Sequence, residues 1–329
     1  MSDDNLLQLI DSEIGRLAPV DLAAELVRIP SHPGIERQEE RVVMALARFF
    51  GERDLGVQLE EVLPGRANLL VSIAGSLPGP HLLLCGHTDT VPLNSGDPGV
   101  GLSGEIREGR LLGRGSVDMK GALAAMASAV VALSRHLPAG RVSFAAVIDE
   151  EMESLGAEQL VDTSFRADGA VVGEPTSNRI ALGHKGLEWL EVHFQGKSAH
   201  GGIPDKGINA ISAAGMFLAM VENELKPRLL ARRHPILGPP TINFGTIRGG
   251  DQPSTVAATC LLTLDRRTVP GENFQSIVAE LTDLLERVER SFPGLHTVVR
   301  RVQGGMGNLL HVALVTPPEA PLALAAQVA

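Results

Sequence analysis

The sequence predicts an α/β protein with a mixed sheet in its first part and an inserted βαββαβ unit in its second part. Two observations lead to this prediction. Up to about residue 178, helical periodicities alternate with short apolar runs of strand length. Over residues 179–303 the predicted order is β-α-β-β-α-β, a split βαβ or ferredoxin-like unit that forms its own two-layer domain. We therefore expect one domain over 1–178, an inserted domain over 179–303, and a return to the first domain over 304–329.

The composition describes an ordinary globular chain and argues against several classes of function. The 329 residues carry a formal net charge of -10 and contain no run of basic residues, so nucleic-acid binding is not expected. Residues 1–15 lack the basic and apolar regions of a signal peptide, and no apolar segment approaches the roughly 20 residues that span a bilayer. Cys85 and Cys260 fall in predicted buried strands, which favours core residues over a disulfide. We therefore expect a cytoplasmic protein without a membrane partner.

The first part of the chain contains two helical regions and then three strands. Apolar positions at helical or strand spacing place these elements at 3–28, 35–50, 57–62, 68–74 and 82–85. The last run is a fully buried strand, and His87 and Asp89 follow it. Open α/β sheets bind ligands at the carboxyl ends of their strands. A histidine with a carboxylate two residues later suits a metal site in which the carboxylate orients the ring. Taken alone, the pair is equally compatible with a surface loop.

Three further elements each deliver a carboxylate that can bind a metal. A Gly-rich segment over 97–115, predicted to be a loop, leads to Asp118 and a long apolar helix. The next strand, 141–149, ends in three consecutive carboxylates, which repel one another unless a cation is present, although a solvated acidic turn is a common alternative. A short strand then delivers Glu174. The side chains that follow four consecutive elements are therefore His87, Asp118, Glu151 and Glu174.

The inserted domain is assigned from the same periodicities. Its strands and helices are predicted at 180–195 (a strand pair), 207–225 (helix), 241–247 and 256–268 (strands), 272–290 (helix) and 296–302 (strand). After residue 305 only a short strand over 311–315 and a helix over 320–328 follow, and we expect the chain to be cut short within the first domain.

These residue types indicate hydrolytic metal chemistry. One histidine among carboxylates, without a nearby cysteine, suits Zn²⁺, and Co²⁺ or Mn²⁺ also fit. So many carboxylates indicate two metal ions about 3.5–4 Å apart, which make water acidic near neutral pH. A neighbouring carboxylate without a metal then takes the proton and returns it to a leaving amine. Because neighbours at a strand end point to opposite sides, one of Glu150 and Glu151 can bind metal while the other acts as the base.

Five short motifs occur in a fixed order along the chain. They are His-x-Asp, Gly-Arg-Gly-x-x-Asp-Met-Lys-Gly, Asp-Glu-Glu, Gly-Glu-Pro-Thr and Ser-Ala-His-x-Gly. Together they resemble the co-catalytic zinc metallopeptidase family, which contains aminoacylase, carboxypeptidase G, acetylornithine deacetylase and succinyl-diaminopimelate desuccinylase. The resemblance implies a mixed-sheet zinc-hydrolase catalytic domain with an inserted lid and dimerisation domain. It also implies cleavage of the amide bond of N-acyl amino acids, with carboxypeptidase or dipeptidase action on short peptides as the alternative.

Carried over residue by residue, the resemblance implies two Zn²⁺ ions, with Co²⁺ as an alternative. Asp118 would bridge the ions, Asp89 would orient the histidine ligand, and Glu150 would be the general base. The terminal ligands would be His87, Glu151 and Glu174. In this family, a glutamate rather than an aspartate at the position of Glu174 is typical of deacylases and carboxypeptidases, not of aminopeptidases. The resemblance therefore favours a substrate with an N-acyl or peptide bond beside a free carboxylate.

Three residues of the inserted domain also receive roles from the resemblance. His200 would reach the active site of the partner subunit in a homodimer and stabilise the oxyanion. Arg267 would bind the substrate carboxylate through its guanidinium fork, the alternative being a strand-edge arginine in a surface ion pair. Asn243 would contact the substrate, although a sheet-edge asparagine with no such role explains it equally well.

One motif of the family is absent. It is a Gly-rich turn with a C-terminal histidine that completes the shell of one zinc. His311 lies in that direction but falls before the helix that should precede the motif. Loss of a ligand weakens a metal site, since even the partners of ligands typically contribute about 10–100-fold in affinity or activity. A second hypothesis is therefore a truncated, non-catalytic or single-metal member that retains only the dimerising scaffold.

Overall fold

A computed structural model of the protein describes residues 3–94, 101–163, 165–304 and 311–328. The chain forms two compact units, Met1–Arg179 and Ile180–Ala329. Within the described ranges, no helix is both long enough and apolar enough to cross a membrane.

The first unit is an α/β domain around a five-stranded sheet. Its elements are α1 (Asp3–Leu17), α2 (Pro19–Arg28), α3 (Glu40–Gly51), β1 (Gln58–Leu63), β2 (Arg66–Ala74), β3 (Leu77–His87), β4 (Glu105–Arg107), β5 (Arg110–Leu112), α4 (Lys120–Ser134), β6 (Ala139–Val147), α5 (Leu155–Asp162) and β7 (Gly169–Val172). The sheet order is β1-β2-β6-β3-β7. β1, β2 and β6 pair antiparallel, whereas β3 is parallel to both β6 and β7. The mixed sheet predicted from the sequence is therefore confirmed.

Three helices cover one face of this sheet and enclose its main core. Helices α2 and α3 each turn an apolar stripe inward, and α4 is apolar on most sides because it lies between other elements. Fully buried side chains of this core are Leu26, Leu46, Phe50, Leu123 and Phe144. The Phe50 and Phe144 rings lie 5.3 Å apart, centroid to centroid, so α3 packs directly on β6.

The parallel pairing of β3 with β6 determines where the polar residues after each strand meet. His87, the last residue of β3, lies opposite Val147, the last residue of β6. Parallel strands end at the same edge of a sheet. The next residue, Thr88, ties the two ends together, since its N–H and its hydroxyl both donate to the Val147 carbonyl at 2.9 and 3.0 Å. The segments that follow the two strands, residues 88–91 and 148–151, therefore start next to each other at the same edge of the sheet.

The second unit contains the predicted βαββαβ order. Its elements are β8 (Gly183–His184), β9 (Gly186–Gln195), α6 (Ala210–Met220), α7 (Lys226–Ala231), β10 (Thr241–Gly249), β11 (Thr259–Thr268), α8 (Phe274–Ser291), β12 (His296–Arg301), β13 (Leu314–Val315) and α9 (Pro321–Val328), with a 3₁₀ turn at Pro204–Lys206 and a π-helical segment at Val221–Leu225. The antiparallel sheet order is β10-β11-β9-β12. Helices α6 and α8 pack on it through a separate core that includes Phe194, Phe217, Leu262 and Leu281.

Several local predictions differ from the structure. The helix expected from residue 35 begins at Glu40, after a turn. The described part of the loop expected over 97–115 contains the β4–β5 hairpin, because Glu108 and Gly109 adopt the positive φ angles (51° and 73°) of a tight hairpin turn. Residues 97–100 of that prediction lie outside the described residues.

The strand pair expected over 180–195 is not a pair. β8 and β9 are consecutive, and β8 pairs with β13 instead. Contacts group residues 311–328 with the second unit. The domain limits given from the sequence, including the return of 304–329 to the first domain, stay predictions.

The buried core of the first unit leads to a prediction about stability. Leu46 on α3 is fully buried, whereas Leu7 on α1 is 60% exposed. We expect Leu46→Ala to lower the free energy of unfolding by about 2–5 kcal/mol, because it leaves a cavity in a packed core. The matched variant Leu7→Ala should change it by no more than about 0.5 kcal/mol. Denaturant unfolding measures both, and similar effects of the two variants would contradict this packing.

Candidate metal centre

The residues of the site lie at the carboxyl ends of three neighbouring strands and just before the start of one helix. β3 ends at His87, β6 is followed closely by Glu150 and Glu151, and β7 ends two residues before Glu174. Asp118 lies two residues before the first residue of α4 and is joined to Met119 by a cis peptide bond. These five side chains, His87, Asp118, Glu150, Glu151 and Glu174, are called the carboxylate cluster below. The predicted ligands and the predicted base thus lie together.

His87 is the centre of the carboxylate cluster. Its side chain is almost fully buried, at 1% exposure. The Nε2 atom lies 3.0 Å from Asp118 Oδ1, 3.7 Å from Glu174 Oε1 and 4.0 Å from Glu150 Oε2. On the other side of the ring, Nδ1 lies 3.0 Å from the carbonyl oxygen of Asp89 and 3.4 Å from its Oδ1. With Nδ1–H donating to Asp89, the neutral ring directs the lone pair of Nε2 into the cluster, which is what a metal ligand requires.

Asp89 connects the ends of β3 and β6. Its carboxylate is fully buried and accepts backbone N–H groups of Glu150 at 3.1 Å and of Glu151 at 2.9 Å. Burial by itself raises the pKa of Asp89, but hydrogen bonding and attraction to His87, together with these two N–H groups, lower it below its usual range. Asp89 is therefore an anion that orients the histidine ring and also holds the backbone of the acidic turn.

Burial and the closeness of several carboxylates shift the pKa values of the groups in the cluster. Burial, assisted by the charges of its acidic neighbours and opposed by His87, raises the pKa of Glu150 to about 7. Burial and the charge of Asp118 likewise raise the pKa values of Glu151 and Glu174. Burial lowers the pKa of His87, but the hydrogen bond to Asp89 and the surrounding carboxylates outweigh it and raise that pKa to about 10. Protons bound to these groups reduce the negative charge of the cluster. A bound divalent cation would neutralise the same charge.

The geometry offers two sets of three ligand atoms, each within 4.8 Å of one another. They are His87 with Asp118 and Glu151, and His87 with Glu150 and Glu174. Imidazole nitrogen and carboxylate oxygen suit Zn²⁺, Co²⁺ or Mn²⁺. The buried side chain of Lys120, the first residue of α4, donates to the carbonyl of Ile29 at 2.6 Å, and burial lowers its pKa to about 7. The donor set therefore fits a divalent metal.

The three predicted residues of the inserted domain lie in the second unit. His200 is exposed, and its Nδ1 accepts the N–H of Gly202 at 3.0 Å. The Arg267 guanidinium donates to both carboxylate oxygens of Asp265 at 2.9 and 3.0 Å. The surface ion pair that the sequence left open for Arg267 is thus present. Asn243 lies opposite Asp265 in the β10–β11 ladder and is exposed.

His311, the late histidine considered from the sequence, pairs through its backbone with Leu187 in the second unit. Its Nε2 is buried and has no hydrogen-bond partner among the described residues. The contacts that the structure describes for His311 therefore lie within the second unit.

Sequence reasoning missed a buried ion network beside the cluster. Asp149 was treated as one of three repelling carboxylates, but its side chain pairs with Arg66 at 2.8 Å. Arg66 also forks onto Glu39, whose side chain is fully buried. No local signal announces this network, since Glu39, Arg66 and Asp149 come from three separate elements.

Comparison with known proteins gives a consistent assignment. Residues 182–293 match the peptidase dimerisation domain. The chain is 32% identical over 289 residues to an acetylornithine deacetylase from Proteus mirabilis (strain HI4320), covering 84% of this chain and 73% of the relative.

Two solved structures show the same fold. One is a tripeptidase from Staphylococcus aureus subsp. aureus mu50, with a TM-score of 0.73 and 21% identity, covering 94% of this chain and 80% of that one. The other is a dinuclear metal binding peptidase of the M20 family from Bacillus subtilis, with a TM-score of 0.66 and 13% identity, covering 93% and 77%. Both likenesses concern the fold.

The raised pKa of His87 leads to a prediction about metal binding. At pH 7 a ring with a pKa of about 10 is protonated, and a metal ligand must not be. We expect metal binding at pH 7 to release about one proton from His87 and a further fraction from Glu150, and the apparent affinity to rise with pH up to about 10. Calorimetry in buffers of different ionisation enthalpy counts the protons. At about pH 8.5 the contribution of Glu150 disappears and that of His87 remains.

The control for this measurement is His184→Asn, which alters an exposed histidine of the second unit. It should leave the number of released protons unchanged. Metal binding without proton release at either pH would contradict the electrostatics of the cluster.

Proposed function

Because this chain belongs to the M20 family of metallopeptidases and deacetylases, and is accordingly a metal-dependent amide hydrolase, we propose that it removes the acyl group from N-acyl amino acids. The observation that carries the proposal is the carboxylate cluster at the strand ends. An acetylornithine deacetylase at 32% identity supports deacylation of a small amino-acid derivative. Carboxypeptidase or dipeptidase action on short peptides is the second candidate, because structural neighbours include a tripeptidase.

We propose that the cluster holds two Zn²⁺ ions, for which Co²⁺ can substitute. Asp118 would bridge the ions, and the terminal ligands would be His87, Glu151 and Glu174. The close approach of His87, Asp118 and Glu151, one of the two sets of neighbouring ligand atoms, supports this assignment. Metal ions in such a pair polarise a carbonyl group and make water acidic near neutral pH. The buried Asp89 supports this site by orienting the His87 ring.

Glu150 is the group that we assign as general base. Its side chain lies at the cluster, with Oε2 4.0 Å from His87 Nε2, and burial raises its pKa to about 7. A carboxylate with a pKa near the working pH both accepts a proton from water and gives it back. Glu150 would therefore take the proton of the attacking water and deliver it to the nitrogen of the leaving amino acid.

His200 is the residue that we assign to the oxyanion. Its Nδ1 accepts a hydrogen bond from the Gly202 N–H, so the proton of the neutral ring resides on Nε2. That atom is then a donor, which stabilisation of a developing negative oxygen requires. His200 lies within the match to the peptidase dimerisation domain, which supports a homodimer in which it serves the active site of the partner subunit.

Arg267 and Asn243 are the residues that we assign to the substrate carboxylate. The two side chains flank Asp265, which holds the guanidinium of Arg267 in a two-point ion pair. Trp189 Nε1–H also donates to this carboxylate at 3.0 Å, so Asp265 is itself held in place. Asp265 accepts from Nε and Nη2 of Arg267, so the Nη1 side of the guanidinium would be the part that binds a carboxylate on the free amino-acid end of the substrate.

We place the reaction in the cytoplasm. Both cysteines are free thiols, as expected in a reducing compartment. Burial and the nearby charge of Glu174 raise the pKa of Cys85 to about 11. That thiol is therefore unreactive at neutral pH and does not compete with the proposed chemistry.

The assignment of Glu150 and the substrate class are tested together. We expect the Zn²⁺-loaded chain to hydrolyse a panel of N-acetyl and N-succinyl amino acids faster than the corresponding dipeptides. Glu150→Gln should lower kcat by about 10²–10⁴-fold with the metal content unchanged, because it removes a proton carrier. Glu158→Gln, an exposed glutamate on α5, is the matched control. Loss of metal in Glu150→Gln would reassign Glu150 as a ligand, and faster cleavage of dipeptides would favour a peptidase.

The assignment of His200 is tested by mixing subunits. We expect His200→Ala to lower kcat by about 10²–10³-fold while the metal content is kept, because one oxyanion donor is lost. A mixed dimer of His200→Ala and Glu150→Gln subunits contains one competent site if His200 acts on the partner subunit, so activity should return. Activity that stays absent in the mixed dimer would place His200 at the site of its own subunit or outside catalysis. His184→Ala, an exposed histidine of the second unit, is the control.

A further inference from the structure

A buried ion network lies directly beside the acidic turn. Arg66, the first residue of β2, donates from Nε and Nη2 to both carboxylate oxygens of Glu39 at 2.6 Å each. The same Nη2 donates to Asp149 Oδ1 at 2.8 Å. Glu39 is fully buried, and the Arg66 side chain is only 17% exposed. Two buried carboxylates thus share one guanidinium, and we call these three residues the Glu39–Arg66–Asp149 network.

This network holds the residue that starts the acidic turn. Asp149 has a φ of 67°, in the left-handed region that a non-glycine residue adopts only when its surroundings hold it there. Its N–H donates to Glu39 Oε1 at 3.3 Å, and its Oδ2 accepts the Glu153 N–H at 3.2 Å. Its carbonyl oxygen accepts the N–H of Ser154 at 2.6 Å. The unusual backbone direction at Asp149 is therefore fixed from several sides.

The next two residues are held from the opposite side. Asp89 accepts the N–H groups of Glu150 and Glu151, and it binds neither Arg66 nor Glu39. The turn that carries the assigned base and one assigned ligand is thus held by two buried carboxylates, those of Asp89 and Asp149. On the Asp149 side, the turn is held through the guanidinium of Arg66. Without the guanidinium, the carboxylates of Glu39 and Asp149 would be two buried like charges that no longer share a cation, and they would move apart.

We propose that Arg66 is a positioning residue that fixes, through Asp149, the turn carrying the base and a terminal ligand. The inference rests on the proposed function, because it takes Glu150 as the base and Glu151 as a ligand. Arg66 touches neither substrate nor metal in this arrangement. It acts by holding the backbone so that the carboxylates of 150 and 151 stay in the cluster.

The test compares Arg66→Met and Arg66→Lys with the unaltered chain, each loaded with Co²⁺. Methionine removes the guanidinium and keeps an aliphatic stem, whereas lysine keeps the charge but replaces the fork with a single ammonium. Arg287→Met is the matched control, because Arg287 forks onto Glu224 at 2.6 and 2.8 Å on α8 of the second unit. Five quantities are measured: Co²⁺ per chain, the visible absorption spectrum of the bound Co²⁺, the melting temperature, and kcat and KM with an N-acetyl amino acid.

We expect Arg66→Met to lower kcat by about 10–100-fold with KM changed by less than about threefold, and to alter the Co²⁺ spectrum. Arg66→Lys should recover part of kcat and part of the spectrum. Arg287→Met should leave both unchanged. All kinetic values are taken well below the melting temperature of each variant, so that a loss of stability alone does not change them.

An Arg66→Met chain that is folded and keeps the kcat and Co²⁺ spectrum of the unaltered chain would overturn the proposal, since the network would then contribute only stability. If Arg66→Met does not fold, Glu39→Gln replaces it, because glutamine keeps the shape and removes one charge of the network. The same changes in kcat and spectrum are expected, and their absence overturns the proposal. If the unaltered chain binds Co²⁺ but cleaves no N-acyl amino acid, the proposed function fails, and the Co²⁺ spectrum still decides the role of Arg66.

Discussion

The buried carboxylate of Asp89 is the interaction on which the metal centre depends. It touches the ring of His87 on one side and the backbone of Glu150 and Glu151 on the other. These groups come from the ends of two parallel strands, and the Asp89 carboxylate links the histidine ring directly to the acidic turn. One charged side chain thus converts a strand edge into a site with a defined geometry. The cost of burying it is offset by two N–H donors and by the imidazole.

Two cationic side chains of this unit, those of Arg66 and Lys120, bind groups outside the carboxylate cluster. Arg66 is committed to Glu39 and Asp149, and Lys120 donates to a carbonyl group. Within the cluster, the imidazole of His87 faces the carboxylates of Asp118, Glu150 and Glu174. Burial and the charges of acidic neighbours raise the pKa values of Glu150, Glu151 and Glu174, so the anionic forms of these three groups are disfavoured. A site of this kind binds divalent cations because the protein has already met the cost of assembling the negative charge.

The second unit is stabilised by a hydrophobic core of its own. Its antiparallel sheet and the helices α6 and α8 enclose their own core, so the loop at His200 and the strand pair at Arg267 are carried by a self-contained structure. The ion pair between Arg267 and Asp265 and the Trp189 hydrogen bond show how neighbouring strands orient one polar side chain. Such positions are suited to recognition, since a rigid sheet holds them while their outer faces stay accessible.

The sequence by itself determined the α/β class, the βαββαβ order, and the identity of the clustered residues His87, Asp118, Glu150, Glu151 and Glu174. These follow from local signals, because apolar periodicity locates the strand ends that precede His87, Glu150, Glu151 and Glu174, and it locates the helix that follows Asp118. Only the tertiary structure decided that Asp149 turns away from its acidic neighbours, that Arg66 joins Glu39 to it, and that β8 pairs with β13. The reason is physical: Glu39 and Asp149 lie 110 positions apart, and no local pattern records which distant charges will share a buried space.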